Sequence, residues 1–388
     1  MSETPLVPRL RPFTSTIFAE MTALAVKAGA VNLGQGFPDT DGPAAMLERA
    51  RQAIADGVNQ YPPGPGMPEL RAAIAARRAG FGQRFDPDTE VLVTVGATEA
   101  IAASLLALVQ AGDEVIVFEP YYDSYAASVA MAGARRVVVS LAEQESGRFG
   151  VDVDALRAAV TPRTKAVLVN SPHNPTGTVF TREELAGIAA VCAEHDLIAI
   201  CDEVYEDLVF DGLEHLPLGA FPGMAERTLT ISSAGKSYNC TGWKIGWACG
   251  PAPLVAAVRA AKQFMTFVGG APFQPAVAHA LSHEDAWVGA LRSSLSDKRL
   301  RLSAGLADAG FAVRRTEGTY FVCADVRPLG FTDGLQLCRE LPEKAGVAGV
   351  PVQVFTDNPD RWRHLVRFAF CKKDDVIDEA LARLRELR

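Results

Sequence analysis

From Glu90 onward the chain alternates short apolar runs with longer stretches of helical period. Glu90–Val95, Glu114–Phe118, Arg136–Ser140, Lys165–Val169, Leu197–Cys201 and Arg227–Ile231 are each dominated by aliphatic and β-branched residues. Runs this short and this apolar predict strands buried on both faces. Helical patterns separate most of them, as at Arg182–His195. Another opens at Gly96-Ala97-Thr98-Glu99, runs to Gln110 and stops at Gly112. Apolar strands alternating with helices predict βαβ units and an α/β fold: a mainly parallel central sheet with helices on both faces. Ligands in such sheets sit at the C-terminal ends of the strands.

The flanks have a different character. Residues 1–40 read as an arm, with Pro5, Pro8 and Pro12, a helix over Ile17–Ala28, and then Val31-Asn32-Leu33-Gly34-Gln35-Gly36-Phe37-Pro38. The glycines there suit either a plain turn or a backbone that something approaches closely. Helices are predicted over Pro43–Asp56 and Pro68–Arg78, each with proline near its start. Between them, Asn59-Gln60-Tyr61-Pro62-Pro63-Gly64-Pro65-Gly66 predicts a stiff loop that presents Tyr61 outward. After Pro251, helices are predicted over Ala252–Gln263 and Ala286–Ala309, the second long enough to link two lobes. Strands at Thr319–Ala324 and Leu365–Phe370, with helices at Gly334–Leu341 and Asp375–Leu387, predict a separate α+β unit. The expected organisation is an arm (1–40) packing on the small unit and a dimer partner, a large domain (41–283) and a small C-terminal domain (284–388).

Composition narrows the class. A hydrophobic share of 48% with 22% charged residues is that of an ordinary soluble globular protein. A net charge of -8 argues against non-specific nucleic-acid binding. Seven dispersed cysteines without a CxxC pair fit reduced thiols, and no metal site is expected. The apolar region Ala100–Ala111 is too short to span a bilayer, and the N-terminus has no basic-then-apolar signal pattern. A cytoplasmic protein that binds neither membrane nor nucleic acid is expected.

Four polar stations follow predicted strands. At Gly96-Ala97-Thr98, backbone N–H groups and the helix dipole would hold a phosphate, with Thr98 adding a hydroxyl; Thr98 also reads as a helix cap alone. In Asn170-Ser171-Pro172-His173-Asn174-Pro175-Thr176-Gly177, two prolines and a glycine make a rigid loop that can aim Asn174. His173 has no metal-ligand partner near it in sequence and reads as structural. Asp202-Glu203-Val204-Tyr205 puts a carboxylate at the end of a buried strand, where it needs a cation: any basic side chain, or a protonated pyridinium nitrogen. The last station is Ser233…Lys236…Lys244, within Ile231-Ser-Ser-Ala-Gly-Lys-Ser-Tyr-Asn-Cys-Thr-Gly-Trp-Lys-Ile-Gly246. A lysine among small residues leaves room for a carbonyl compound to be attached to its amine.

Phosphate cradle, rigid asparagine, buried aspartate with tyrosine, then lysine, in that order, resembles the class I (fold type I) pyridoxal-phosphate-dependent aminotransferases over essentially the whole chain. The resemblance implies that Lys236 carries the cofactor covalently and moves the proton. Asp202 would pair with the pyridine nitrogen, while Asn174 and Tyr205 would bond the ring hydroxyl. Ala97, Thr98, Ser233 and Lys244 would bind the phosphate, and Tyr122 would stack on the ring. Arg367, in Leu365-Val366-Arg367-Phe368, would clamp the substrate α-carboxylate with Gly36 and Asn174 beside it. Tyr61 would reach the phosphate of a neighbouring subunit, so a homodimer with shared sites is implied. Many relatives have an aromatic residue where Thr98 stands and arginine where Lys244 stands.

The implied activity is a ping-pong exchange between an L-amino acid and a 2-oxo acid such as 2-oxoglutarate. The strings Val31-Asn32-Leu33-Gly34-Gln35-Gly36-Phe37-Pro38-Asp39, Asn59-Gln60-Tyr61 and Gly242-Trp243-Lys244-Ile245-Gly246-Trp247 resemble the branch holding kynurenine, glutamine and methionine aminotransferases. That branch also holds the N-succinyldiaminopimelate aminotransferases of actinobacterial lysine synthesis. Asn239-Cys240-Thr241-Gly242-Trp243-Lys244 and Gly269-Gly270-Ala271-Pro272-Phe273-Gln274-Pro275 carry the likeness to these last. A cysteine-S-conjugate β-lyase would share every cofactor contact. Loops around Phe13–Phe18 and Phe264–Phe273 are expected to line the distal pocket.

Overall fold

The computed structural model describes residues 5–387. Residues 1–4 of the expected arm and residue 388 of the expected C-terminal unit lie outside that range. A seven-stranded sheet forms the centre, and its strands lie in the order Val91–Val95, Ile245–Cys249, Thr228–Ser233, Ile198–Asp202, Thr164–Asn170, Glu114–Glu119 and Arg135–Ser140. The ladders among the last five are parallel. Ile245–Cys249 runs antiparallel to both of its neighbours. The α/β architecture read from the alternating pattern is the one observed, and the six strands predicted in this region form within a residue or two of their expected bounds.

The antiparallel strand Ile245–Cys249 was not predicted. Gly246 in its middle and Lys244 at its start make Gly-Trp-Lys-Ile-Gly-Trp read as a loop. The glycine has a packing reason: a Cβ at position 246 would lie 2.5 Å from the Gly96 carbonyl carbon and 2.7 Å from the Ala97 nitrogen. Backbone therefore passes directly over backbone where the helix Gly96–Leu108 begins. Two helices, Asp123–Met131 and Phe273–His283, were also unpredicted. The first brings Tyr122 and Tyr125 together; the second begins where a loop was expected to line the distal pocket.

A second, four-stranded sheet is ordered Ala312–Val313, Phe321–Asp325, Leu365–Ala369 and Val350–Pro351. The 24-residue helix Asp285–Asp308 leads into it. The arm is built into this region: Val31–Asn32 pairs in parallel with Val347–Ala348. Met21 and Leu33 of the arm share a core with Val204, Tyr205 and Leu208 below the large sheet and with Val322 and Phe368 of the small one. The ends of the large-sheet strands thus face the small sheet, with the arm between them. All seven cysteines are free and buried.

Just past the strand Ile198–Asp202, Asp202 and Glu203 take different surroundings. Glu203 and Glu206, both buried, share the guanidinium of Arg78, which is 1% exposed; the contact to Glu203 is 2.6 Å. His215 completes the cluster at 2.9 Å from Glu203. Removing the arginine leaves two carboxylates without their cation in a dry interior. Arg78→Ala is expected to cost about 3–5 kcal/mol of stability, read from a denaturant titration against the parent protein.

Candidate active site

The sheet ladder sets the first row of side chains. Asn170 and Asp202 are register partners, as are Asp202 and Ile231 on the next strand. Two of these strands end level, at Asn170 and Asp202, the third runs two residues further to Ser233, and the segments after them converge on one cavity of about 250 Å³. Asn170 fastens the row: its Nδ2 donates to the Asp202 carbonyl (2.8 Å) and to the Pro172 carbonyl (3.2 Å). Its Oδ1 accepts from the Asn174 backbone N–H at 2.8 Å. That holds the proline-rich loop in the conformation that points Asn174 inward.

Asp202 is buried and 5% exposed. Its carboxylate accepts from the Tyr125 hydroxyl at 2.5 Å and from the Val204 N–H at 3.3 Å. Burial raises its pKa, against which the Tyr125 and Val204 hydrogen bonds and the charge of Lys236 work. Among the described residues no cation forms an ion pair with Asp202, although the sequence argument demands a cationic partner for it. The site leaves that position open.

At the opposite end of the cavity, Gly96 takes a positive φ of 74° and starts its helix without a side-chain cap. Thr98 is therefore not the cap; it sits in the first helical turn, beside unsatisfied backbone N–H groups. Lys244, in the left-handed conformation at φ 56°, brings its ammonium over Gly96, where an added Cβ would lie 2.8 Å from Nζ. Ser233 ends the neighbouring strand as register partner of Gly246. Together with Ala97, these groups form a small basin rich in hydrogen-bond donors, with one exposed positive charge. Tyr122 lines the cavity between its two ends, edge-on to Tyr125 with ring centroids 5.8 Å apart.

Lys236 follows from the four-residue helical turn Ala234–Ser237. Its Nζ donates to the Tyr320 hydroxyl at 2.8 Å and reaches the Gly36 carbonyl at 3.5 Å. Burial lowers its pKa to about 8; Cys371 and Asp202 oppose that shift, and Arg367 and Lys244 add to it. Gly36 is no plain turn. A Cβ there would lie 2.6 Å from the Phe321 ring, so the arm's backbone presses directly on that side chain.

Arg367 is 1% exposed. It donates to Asn174 Oδ1 at 2.9 Å and to the Gly34 carbonyl at 3.0 Å. Its guanidinium lies 3.9 Å from the centre of the Phe321 ring, and its buried Nε has no partner. Burial lowers its pKa, against the pull of Tyr205, Cys323 and others nearby. No carboxylate of the described residues pairs with it, so its charge is available to an incoming anion.

The cavity thus gathers Gly36, Ala97, Thr98, Tyr122, Asn174, Asp202, Tyr205, Ser233, Lys236, Lys244 and Arg367. Tyr61 is not among them: it is 82% exposed and stands edge-on to Phe267 on the outer surface. His173 is buried, bonds Thr176 at 2.8 Å and has its pKa pushed down to about 3 by burial, which suits a neutral packing residue. Tyr125 and Tyr320 were missed. Tyr125 lies three positions after Tyr122, a spacing that would have placed both on one face had the helix Asp123–Met131 been recognised. Nothing in the sequence pattern marks Tyr320.

The chain's likeness to known proteins agrees with this geometry. The family described as aminotransferase class I and II matches residues 28–384. A probable N-succinyldiaminopimelate aminotransferase, DapC, of Mycobacterium tuberculosis is 63% identical, over 98% of both chains. The crystal structure of the N-succinyldiaminopimelate aminotransferase from Mycobacterium tuberculosis superposes with a TM-score of 0.97 at 63% identity, covering 99% of this chain and 100% of that one. A methionine aminotransferase of Escherichia coli is 39% identical over 100% of both.

An amine with a pKa near 8 is protonated and unreactive below that pH and a free nucleophile above it. Labelling of Lys236 by an amine-reactive reagent, followed by peptide mass spectrometry, is expected to rise with a midpoint near pH 8. A midpoint near the usual lysine value of 10.5 would show that the amine is not desolvated.

Proposed function

This chain belongs to the class I and II aminotransferases, and from that premise we propose that it transfers the amino group of N-succinyldiaminopimelate to 2-oxoglutarate, with pyridoxal 5′-phosphate as cofactor, in lysine biosynthesis. The observation that carries the chemistry is the cavity shared by a desolvated lysine amine, a buried carboxylate and a buried arginine, neither of which forms an ion pair among the described residues. The 63% identity over 98% of its length with the mycobacterial enzyme carries the substrate.

The cavity's two ends support that cofactor. Asp202, buried and unpaired, suits a protonated pyridine nitrogen, and the uncapped helix start at Gly96 with Lys244 above it suits a phosphate. Ala97, Thr98, Ser233 and Lys244 would hold the phosphate, Tyr122 would flank the ring, and Asn174 and Tyr205 would take the ring hydroxyl. When bound, pyridoxal phosphate supplies an aldehyde that takes up the amino group and a ring that accepts the electrons left at Cα.

The chain's own residues do the rest. Arg367, stacked on Phe321, binds the α-carboxylate through its guanidinium, with Asn174 and the Gly36 backbone beside it. That contact fixes which face of Cα meets Lys236. The Lys236 amine, whose pKa burial lowers to about 8, is neutral in part near that pH; it takes the Cα proton as a general base and returns it as a general acid. Asp202 stays charged when a cation is beside it, because the attraction offsets the desolvation that otherwise raises its pKa. Phe18 and Phe37 of the arm also line the cavity.

We assign the active unit as a homodimer in the cytoplasm. Tyr61 and Phe267, whose ring centroids lie 5.4 Å apart, are 82% and 49% exposed. An aromatic pair left in water favours burial against a second copy, which would bring Tyr61 to the partner's phosphate. The cavity's aromatic residues Phe18 and Phe37 also suit an aromatic or sulfur side chain, the second reading of the substrate; no residue of Phe264–Phe273 is in the cavity's lining. Residues 5–387 contain no helix long and apolar enough to cross a membrane.

Two experiments decide. Lys236→Ala is expected to lose the visible absorbance of lysine-bound cofactor and to lower transamination by about 10³-fold or more; retained turnover overturns the assignment. Amino donors screened against 2-oxoglutarate are expected to rank N-succinyldiaminopimelate first by kcat/KM. Kynurenine or methionine in that place overturns the substrate, and pyruvate and ammonia from a cysteine conjugate as main products would make the enzyme a β-lyase.

A further inference from the structure

Tyr320 is 1% exposed, and its hydroxyl meets both Lys236 and the backbone of Gly36. The hydroxyl lies 2.6 Å from the Gly36 carbonyl oxygen and 2.8 Å from Lys236 Nζ. A phenol has one proton to give, and a carbonyl oxygen can only accept. The proton therefore goes to Gly36, and the phenol oxygen accepts from the lysine. The longer contact from Nζ to the Gly36 carbonyl, 3.5 Å, also draws on an N–H. Both contacts use the amine's hydrogens, and neither uses its lone pair.

The backbone is bent to achieve this. Thr319, next to Tyr320, takes a φ of 68°, a conformation that a β-branched residue adopts only under constraint. Its N–H donates to the Leu208 carbonyl at 2.9 Å, and its hydroxyl accepts from the Phe321 N–H at 3.1 Å. Tyr205 packs edge-on against the Tyr320 ring, with centroids 5.2 Å apart. The phenol cannot swing away without disturbing the arm, the second sheet or Tyr205.

We propose that Tyr320 is a positioning residue on which the Lys236 amine rests whenever it is free, with its lone pair aimed into the cavity. This rests on the aminotransferase reading, in which that amine is released and then takes the substrate's Cα proton. In that step the Cα–H bond breaks, its electron pair stays on the substrate side, and a new N–H bond forms on Lys236. The resulting ammonium keeps two acceptors, the Tyr320 oxygen and the Gly36 carbonyl. The other groups that face it are Cys371 and Asp202, which favour its charge, Arg367 and Lys244, which oppose it, and the Tyr205 ring, whose centre lies 5.7 Å from Nζ. The Gly36 carbonyl belongs to the arm, so the same bond ties the lysine's position to the seating of the arm.

The test is Tyr320→Phe in the full chain, with two readings that a merely structural role would not move. The first is the pH midpoint for recombination of pyridoxal phosphate with cofactor-free protein, followed by absorbance. Loss of an acceptor disfavours the ammonium, so the midpoint is expected to fall by about half a pH unit or more. The second is the kinetic isotope effect of α-deuterated amino donor, expected to rise while kcat falls about tenfold and KM stays within about threefold. An unchanged midpoint and isotope effect overturn the proposal, even if kcat alone drops. Should Tyr320→Phe not fold, Tyr320→Leu makes the same test: its side chain offers Lys236 no acceptor and does not titrate, and the same shifts are expected. If wild-type protein does not take up pyridoxal phosphate at Lys236, the aminotransferase reading falls and this inference with it. If it does and the variants match it, the Tyr320 assignment alone is wrong.

Discussion

The parallel ladder that holds Asn170, Asp202 and Ile231 level is the constraint on which the cavity depends. A slip of one residue in any of these strands would turn its end side chains to the opposite face. Asp202 would then exchange places with a neighbour, and the carboxylate now facing the cavity would sit on the wrong side of the sheet. Asn170 adds a lock by bonding across to the Asp202 carbonyl. The antiparallel strand Ile245–Cys249 closes the row on the other side, and its Gly246 lets it lie against the helix start at Gly96.

Three ionisable groups meet in this small space, and among the described residues none of them forms an ion pair with another. The carboxylate of Asp202 is bonded by a phenol and an amide, Arg367 by an amide and a carbonyl, and Lys236 by a phenol. Each is held in place by a neutral group. Neutral partners fix geometry while leaving the charge unspent, which is the electrostatic condition for binding ionic ligands tightly in a site of low dielectric. The contrast with the next residue is instructive. Glu203 meets Arg78 at 2.6 Å and is neutralised within the fold. Two adjacent acids therefore serve different ends, one free for a ligand and one committed to stability.

Tyrosine hydroxyls carry much of this arrangement. Tyr125 reaches Asp202, Tyr320 reaches Lys236, and Tyr205 braces Tyr320 from the side. Burial raises the pKa of all three, so they remain neutral donors and acceptors across the working pH range. Because Tyr320 also bonds the Gly36 carbonyl, the arm is connected to the lysine as well as to the small-sheet core.

Local pattern determined a good deal of this protein. Strands buried on both faces are apolar throughout, helices show their period and caps, and glycine and proline mark the breaks between them. The α/β class and the order of the four polar stations follow from such signals, each of which extends over only a few residues. The strand Ile245–Cys249 was illegible because its glycine answers to a backbone contact about 150 residues away in the chain, at Gly96. Thr98 read as a possible cap because the first turn of a helix looks alike in sequence whether or not a ligand sits on it. Only the tertiary structure could decide that Asp202 forms no ion pair among the described residues, that Gly36 presses on Phe321, and that Tyr320 receives the Lys236 amine. Those facts depend on distances between segments that the second sheet and the arm bring together, and neither hydrophobic period nor residue spacing encodes such distances.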